Sequence, residues 1–276
     1  MPYKYGHYGV GLVLLVTILG FWTSYFVAFT HVPFAFHMHG VTATTWLLLL
    51  IAQSLAAHTK NIALHRTMGK ASFLLFPLLI VGFVAIINLS AARYADAEGA
   101  FIAELGPAFG IGMGVAISAY LTLFYLALRN RRNIKLHAGF MLATPLILFE
   151  SPFSRVIPIL FPWLNVIGSE GPRELLDLIL IGNLISASVA LVLYLTNRRH
   201  GLPWLLVIAF TTLQTVTMWF ANDIPGVRAI FAFYAQLPAT PMLFVGFAAG
   251  ALVAWLGWER GKPVARSAPS ADAALS

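Results

Sequence analysis

The chain contains no cysteine, and only 10% of its 276 residues are charged. The absence of thiols excludes disulfides, thiolate metal sites, iron–sulfur clusters and covalent attachment of c-type haem. The shortage of charge is also informative, because an ordinary soluble domain carries about 25% charged residues. Any cofactor must therefore be held by histidine, carboxylate or methionine side chains, or by shape alone.

Most of the sequence consists of long hydrophobic runs. Hydrophobic residues make up 59% of the chain, and each of eight apolar segments has about the 20 residues that a helix needs to cross a hydrocarbon core of ~30 Å. These segments are residues 10–29, 36–57, 71–90, 107–128, 138–160, 175–196, 203–221 and 231–257. The sequence predicts an all-α fold, an integral membrane bundle of eight transmembrane helices over residues 1–259, followed by a disordered cytoplasmic tail at residues 260–276.

The 17 Lys and Arg residues are distributed unevenly between these segments. All of them fall in alternate gaps except Arg93, Arg155, Arg173 and Arg228. Because cytoplasmic loops are enriched in Lys and Arg, this asymmetry predicts that both termini are cytoplasmic. The basic residues then act as anchors at the surface of the lipid bilayer, so the pI of about 9.9 does not indicate a nucleic-acid partner.

Three local features carry structural predictions. Residues 91–106 form the longest polar gap and are predicted to be a short outer loop. Pro238 and Pro241 fall in the segment 231–257 and are expected to kink its helix. The polar stripe around Gln214 on the seventh segment is expected to bond mostly to its own helix.

Glu150 is an ionisable residue at membrane depth. It follows His137 by about 13 residues on the fifth segment, which places it ~20 Å from the cytoplasmic edge. A carboxylate there is costly unless it is paired, protonated or facing water, so Glu150 is a functional candidate. The nearest partners by depth are Arg155 on the same segment and His39 on the second. We therefore expect the second and fifth helices to be neighbours, with Glu150 facing the bundle interior and bonded to at least one of these two residues.

Further polar residues at similar depth suggest that this site is a pocket opening outward. Asp177, Asn183 and Asp223 are assigned to it together with Glu150 and Arg155. The alternative is a set of interfacial residues with one structural ion pair between Glu150 and Arg155.

Two groups of histidines are candidate ligands of a cofactor or metal ion. His37 and His39 enter the second segment from the outer side, although their i, i+2 spacing points them to opposite sides of a helix. His58, His65 and His137 lie on the cytoplasmic side, where imidazoles from neighbouring helices could ligate haem b axially. Alternatively, these three are interfacial anchors that touch lipid phosphates.

The histidines belong to short motifs that occur in a fixed order. These are His39–Gly40, His65-Arg66-Thr67-Met68-Gly69, and His137-Ala138-Gly139-Phe140-Met141 with Arg155 at the end of the same segment. This order, over roughly residues 36–156, resembles a group of uncharacterised bacterial polytopic membrane proteins with H-R-x-x-G and H-x-x-aromatic-M…R motifs. The group is similar in outline to cytochrome b561-like haem proteins and to small oxidase-assembly factors. The resemblance implies a multi-pass protein of the bacterial inner (plasma) membrane, but no activity.

Two hypotheses about function follow. In the first, His65 and His137 hold haem b, or His39 helps to hold a metal ion, in a respiratory or quinone-linked redox role. In the second, the protein is a colourless transporter or intramembrane enzyme, with an outward polar pocket around Glu150, Arg155 and His39. The sequence leaves open whether the protein is an enzyme.

Overall fold

A computed structural model describes residues 2–224 and 226–262 of the chain. Within those ranges every regular element is helical. The α-helices are α1 (Gly6–Gly20), α2 (Phe34–His58), α3 (Ile62–Ala95), α4 (Gly99–Arg129), α5 (Ile134–Leu148), α6 (Glu150–Leu160), α7 (Glu174–Thr196), α8 (Leu202–Trp219), α9 (Val227–Ala235) and α10 (Ala239–Arg260). A π-helical turn at Trp22–Phe26 follows α1.

Most of these helices are suited to a bilayer. In the described residues, six helices are long and apolar enough to cross a membrane, and α5 with α6 makes a seventh if the bent pair is one span. The prediction of an all-helical, multi-pass membrane protein is therefore confirmed. The prediction was eight spans, one more than the seven counted with the bent pair. The difference is α1, an apolar helix of 15 residues that is shorter than the other spans.

The predicted outer loop at residues 91–106 is wrong, because helix occupies most of it. The helix α3 continues to Ala95, and α4 begins at Gly99. Only residues 96–98 connect them, and Ala97 and Gly99 adopt positive φ angles of 53° and 80° there. The left-handed conformation reverses the chain within a few residues, so Asp96 and Glu98 lie in a three-residue turn and Glu104 lies within α4.

The predicted eighth segment, residues 231–257, begins too early. The short helix α9 ends at Ala235, and α10 starts after Pro238, which is its N-cap residue. Proline disfavours the helical conformation of the residue before it, so it ends one helix and precedes the next. Pro241 lies in the first turn of α10, where N–H groups have no intrahelical partner. The expected kink inside one helix is therefore a break between two.

The centre of the bundle is formed by α3 and α4. The helix α3 packs against α2 and α10, and α4 packs against α5, α8 and α10. The rings of Phe76 and Phe124 stack between α3 and α4, with centroids 3.9 Å apart. Beside them, Trp46 Nε1 donates a buried hydrogen bond of 2.9 Å to Thr144 Oγ1, which joins α2 to α5.

One end of the bundle, here called the basic end, brings together the N-terminal residues, the α4–α5 and α7–α8 connections, and the end of α10. The rings of Tyr3 and Trp204 lie 5.6 Å apart. Arg131 Nη1 donates to the carbonyl of Trp258 at 2.8 Å, and its guanidinium lies 4.0 Å from the centre of that indole ring. The described N- and C-terminal residues thus share one end. Of the tail predicted at residues 260–276, Arg260 is the last residue of α10, and residues 263–276 lie outside the described residues.

The opposite end holds three of the four arginines that fall outside the basic gaps of the sequence. Arg93 Nε lies 3.4 Å from Glu98 Oε2, and Arg228 Nε donates to Asn222 Oδ1 at 3.2 Å. Arg173 lies over the ring of Trp219. The sequence asymmetry therefore corresponds to two physical ends of the bundle, whereas the assignment of the basic end to the cytoplasm stays a prediction.

Candidate functional site: a buried carboxylate at a helix break

A helix break brings Glu150 into the interior. The helices α5 and α6 meet at Phe149 with a bend of 47°. Pro145 and Pro152 lie on either side of the break, and each removes a backbone donor from the helix. Glu150 is the first residue of α6 and is 8% exposed. Its position favours a negative charge, because the first turn of a helix has unpaired N–H groups and the positive end of the helix dipole.

The Glu150 side chain is directed at α7 and α8. Gln214 Nε2 on α8 donates to Glu150 Oε1 at 3.4 Å and to the carbonyl of Gly112 at 3.3 Å. Gly182 on α7 packs against the backbone of Glu150. The second carboxylate oxygen, Oε2, is buried and has no hydrogen-bond partner among the described residues.

The orientation of the neighbouring amides follows from these contacts. The Gly112 carbonyl can only accept, so Gln214 must present its NH₂ group there and its Oε1 to the other side. Asn183 Nδ2 donates to that Oε1 at 3.2 Å and to Thr215 Oγ1 at 3.0 Å. This leaves Asn183 Oδ1 buried without a partner in the described structure.

Glu150, Asn183, Gln214 and Thr215 are here called the Glu150 cluster. Its two unpartnered atoms are both oxygen acceptors. A buried polar atom without a partner costs about 1–3 kcal/mol. Ser186, one turn along α7 from Gly182, adds a fully buried hydroxyl that also lacks a partner. The cluster is therefore suited to a group that brings hydrogen-bond donors or positive charge.

Arg155 is directed away from this cluster. Its Nη1 donates to the carbonyl of Ser151 at 2.6 Å. Its guanidinium lies 4.7 Å from the centre of the ring of Phe21, the residue that directly follows α1. The helix α6 packs on α1 and α7. The prediction that Glu150 bonds to Arg155 or His39 is therefore wrong, because its side-chain partner is Gln214.

The outer histidines contact other helices. His39 packs on Phe83 of α3, with ring centroids 4.6 Å apart, and its Nδ1 is buried without a described partner. His37 Nδ1 is 3.0 Å from the hydroxyl of Tyr25, in the π-helical turn. Both residues lie inside α2, so the structure does not bring them together.

Two of the acidic residues assigned to the pocket have other surroundings. Asp177 is fully buried, and both of its oxygens accept 2.7 Å bonds from the backbone and hydroxyl of Ser169. It therefore fastens the α6–α7 connection to α7. Asp223 is exposed in the turn after α8. Of the predicted pocket residues, the structure brings together Glu150 and Asn183.

The inner histidines form pairs at the basic end. The rings of His65 and His137 lie 6.5 Å apart at an angle of 82°, and those of His7 and His58 lie 6.2 Å apart. His137 Nδ1 is 2.9 Å from the carbonyl of Ala127. Because a carbonyl can only accept, this nitrogen carries the proton and Nε2 keeps its lone pair. His65 Nδ1 is buried and unpartnered in the described structure.

The pairs do not extend to a larger ligand set. Among residues 2–224 and 226–262, no group of three or more His, Asp or Glu side chains is placed to hold a metal ion. Structural zinc sites use four protein ligands and catalytic ones three. The pair His65 and His137 therefore offers two imidazole ligands at most to any one ion or cofactor.

Gln214 is the functional residue that sequence reasoning missed. It belongs to the polar stripe on α8, in which Thr211 and Thr217 do bond to carbonyls of their own helix. Gln214 and Thr215 instead contact α7. The available signal was side-chain length, because a Gln amide extends beyond the reach of its own helix, whereas a Thr hydroxyl bonds back to it.

No family model, curated protein or solved structure matches this chain. Its function is therefore argued from the geometry of the sites. The resemblance of the histidine motifs to cytochrome b561-like proteins stays a prediction.

Proposed function

We propose that this multi-pass membrane protein is a transporter, and that the Glu150 cluster binds its solute, a small cation or a solute rich in hydrogen-bond donors. The observation that carries the proposal is a helix broken at a buried carboxylate whose Oε2 has no partner among the described residues. Secondary transporters build their sites from discontinuous helices near the middle of the membrane.

The chemistry of the solute follows from the free atoms of the cluster. Glu150 Oε2 and Asn183 Oδ1 both accept hydrogen bonds, and the carboxylate can carry a negative charge. A partner for both must donate hydrogen bonds or carry positive charge, which favours an ammonium group, a metal cation of low charge or a proton. Ionisable residues at membrane depth commonly mark such ion and solute paths.

The proposal includes eight crossings of a bacterial inner membrane with both termini in the cytoplasm. The helix α1 and the π-helical turn at Trp22–Phe26 together cover most of the first predicted segment, up to residue 26 of residues 10–29. The basic end of the bundle then faces the cytoplasm, in agreement with the positive-inside rule.

The proposal is tested by thermal unfolding of the purified protein in non-ionic detergent. The probes are Na⁺, K⁺, ethylammonium and putrescine, each compared with the same ionic strength of a bulky cation. We expect at least one probe to raise the melting temperature in a saturable way, because a ligand that binds only the folded state stabilises it. A radiolabelled form of that probe should then exchange across vesicles containing the protein.

The control separates the cluster from general charge effects. Glu150→Gln should abolish the shift and the exchange, whereas Glu98→Gln, at an exposed position, should leave both unchanged. If no probe shifts the melting temperature, or if Glu150→Gln retains the shift, the transporter proposal is wrong.

A second function is favoured by a separate observation, the pairing of His65 and His137. We propose as the alternative that these two residues hold haem b in a quinone-linked respiratory process. Their ring centroids lie 6.5 Å apart, and His65 Nδ1 has no hydrogen-bond partner in the described structure. Bound haem would supply one-electron redox chemistry, while the Ala127 carbonyl would orient the His137 ring.

The alternative has a spectroscopic test. Protein expressed with ample haem should show a reduced α-band that disappears in both His65→Ala and His137→Ala. His200→Ala, at the same end of the bundle, is the matched control and should retain the band. Absence of visible absorbance in the purified wild-type protein would remove this alternative.

A further inference from the structure

A cleft of about 510 Å³ lies between α1 and α7, on the half of the bundle towards the basic end. Its floor is α5, and Tyr3 and Trp204 close it at the basic end. Ligand-binding pockets usually have volumes of about 300–1,000 Å³. Leu12 on α1 and Val189 on α7 line the cleft and are 58% and 43% exposed, so it opens sideways to the lipid-facing surface.

The cleft is apolar along most of its length, with polar atoms near its ends. At the basic end, Trp204 is 2% exposed, and its indole N–H has no acceptor among the described residues. The Tyr3 hydroxyl beside it is also buried without a partner of good geometry. At the deep end, Ser186 borders the Glu150 cluster. The indole N–H and the phenol oxygen lie close enough to influence each other but form no hydrogen bond of good geometry, so an added acceptor would satisfy both groups.

The conformation of Tyr3 is consistent with a functional role. Its φ angle is +55°, which is an uncommon value for a bulky residue. Such strain persists when the surroundings hold the residue in place, and it is frequent at ligand sites. The hydroxyl lies close to Gly139, where an added Cβ would be 3.0 Å away. Burial raises the pKa of the Tyr3 phenol, an effect that the nearby Trp204 partly opposes, so at neutral pH it is an uncharged hydrogen-bond donor.

The charges and hydrogen-bond donors at the basic end of the cleft indicate the kind of ligand that it can bind. An indole N–H can only donate, and the Lys4 ammonium at the rim is a positively charged donor. The residues that line the cleft include no acid. An acceptor with negative charge therefore complements the end of the cleft, whereas an aliphatic chain complements its walls.

We infer that this cleft binds a single-chain anionic lipid, with its carboxylate or phosphate head at Trp204, Tyr3 and Lys4 and its chain between α1 and α7. The inference does not depend on the proposed transport function, because it rests on residues outside the Glu150 cluster. A fatty acid and a lysophospholipid share the required chemistry.

The chain site can be blocked by a substitution that has a matched control. Gly9 lines the cleft, and a Cβ placed on it would meet nothing within 4 Å. Gly11 is on the same helix and equally open, but it does not line the cleft. Gly9→Leu should therefore fill the cleft without disturbing packing, and Gly11→Leu introduces the same side chain elsewhere.

Binding is measured by native mass spectrometry of the full chain from phosphatidylcholine nanodiscs, titrated with oleic acid, oleoyl lysophosphatidic acid or oleylamine. Gly9→Leu should weaken binding of the anionic lipids by about tenfold or more, equivalent to about 1.4 kcal/mol. Gly11→Leu should bind as the wild type does. Tighter binding of oleic acid or of the lysophospholipid would identify the head as carboxylate or phosphate.

The head site is tested separately with Trp204→Phe, which removes the N–H and retains an aromatic ring. We expect at least about tenfold weaker binding of the anionic lipids, because the hydrogen bond from the indole N–H to the charged head is lost. If the indole has only a packing role, binding will not change, and the inference is wrong. It is equally wrong if oleylamine binds as tightly as oleic acid, or if Gly9→Leu and Gly11→Leu have the same effect.

Discussion

Gly182 on α7 lies directly against the backbone of Glu150 at the start of α6. A Cβ on Gly182 would be 3.1 Å from Cα of Glu150 and 3.3 Å from its carbonyl oxygen. The contact joins the helix that carries Asn183 to the break that carries the carboxylate. It also allows little movement, because the opposing atoms belong to the main chain.

Gly182→Ala should therefore separate α6 from α7. We expect a loss of about 1–3 kcal/mol in unfolding free energy, which is typical of overpacking in a close-packed interior. Gly114→Ala is the control, because a Cβ there meets nothing within 4 Å. Unfolding in mixed detergent micelles measures both variants. Equal stability of Gly182→Ala and wild type would contradict the close contact.

Two substitutions at Glu150 should distinguish the contribution of its charge from that of its hydrogen bond to Gln214. Glu150→Gln keeps an acceptor for Gln214 and removes the unpartnered charge, so the protein should fold with unchanged or higher stability and lose solute binding. Glu150→Leu leaves one N–H of Gln214 without its acceptor. It should be less stable than Glu150→Gln by about 1–3 kcal/mol. Thermal unfolding compares the two variants, and the reverse order of stability would refute the hydrogen-bond assignment.

Arg155 and Glu150 should be coupled more weakly than a direct ion pair, although they lie on the same helix. Removing one partner of a buried ion pair typically costs about 3–5 kcal/mol. Because Arg155 bonds to Ser151 and lies over Phe21, we expect the coupling energy between Arg155→Gln and Glu150→Gln to be below about 3 kcal/mol, the lower end of that range. A double-mutant cycle of unfolding free energies measures it. A coupling energy of several kcal/mol would show that Arg155 and Glu150 form a direct ion pair, contrary to the structure.

The absence of cysteine makes the membrane topology easy to measure. Single cysteines at Thr59 and Asp223 would be at exposed positions on opposite ends of the bundle. In intact cells, a membrane-impermeant maleimide should label Asp223→Cys at once and Thr59→Cys only after permeabilisation. Labelling of Thr59→Cys in intact cells would reverse the assignment of the basic end to the cytoplasm.

The amino-acid sequence predicted the helical class and the burial of Glu150, because both depend on local composition. Apolar runs of the required length specify membrane helices, and a single carboxylate inside one is noticeable at once. The ends of the helices were less predictable. A polar run such as residues 91–106 is compatible with a helix that extends beyond the bilayer, and hydropathy does not distinguish that helix from a loop.

The partners of Glu150 were not predictable from depth along the helix. Depth selected Arg155 and His39, but the bend at Phe149 and the rotation about the helix axis direct the carboxylate to α8 instead. Gln214 is 64 positions away in the chain, so only the packing of α7 and α8 brings the two together. The polar stripe on α8 predicts bonding within that helix, which holds for Thr211 but not for Gln214, whose longer side chain reaches the neighbouring helices.

The sideways opening between Leu12 and Val189 determines how a ligand would reach Trp204. A molecule that enters there partitions first into the hydrocarbon phase and then diffuses in two dimensions. Occupancy of the cleft would then follow the mole fraction of that molecule among the surrounding lipids rather than its concentration in water. Two membranes of different composition would load the same protein to different extents, even at equal aqueous concentration.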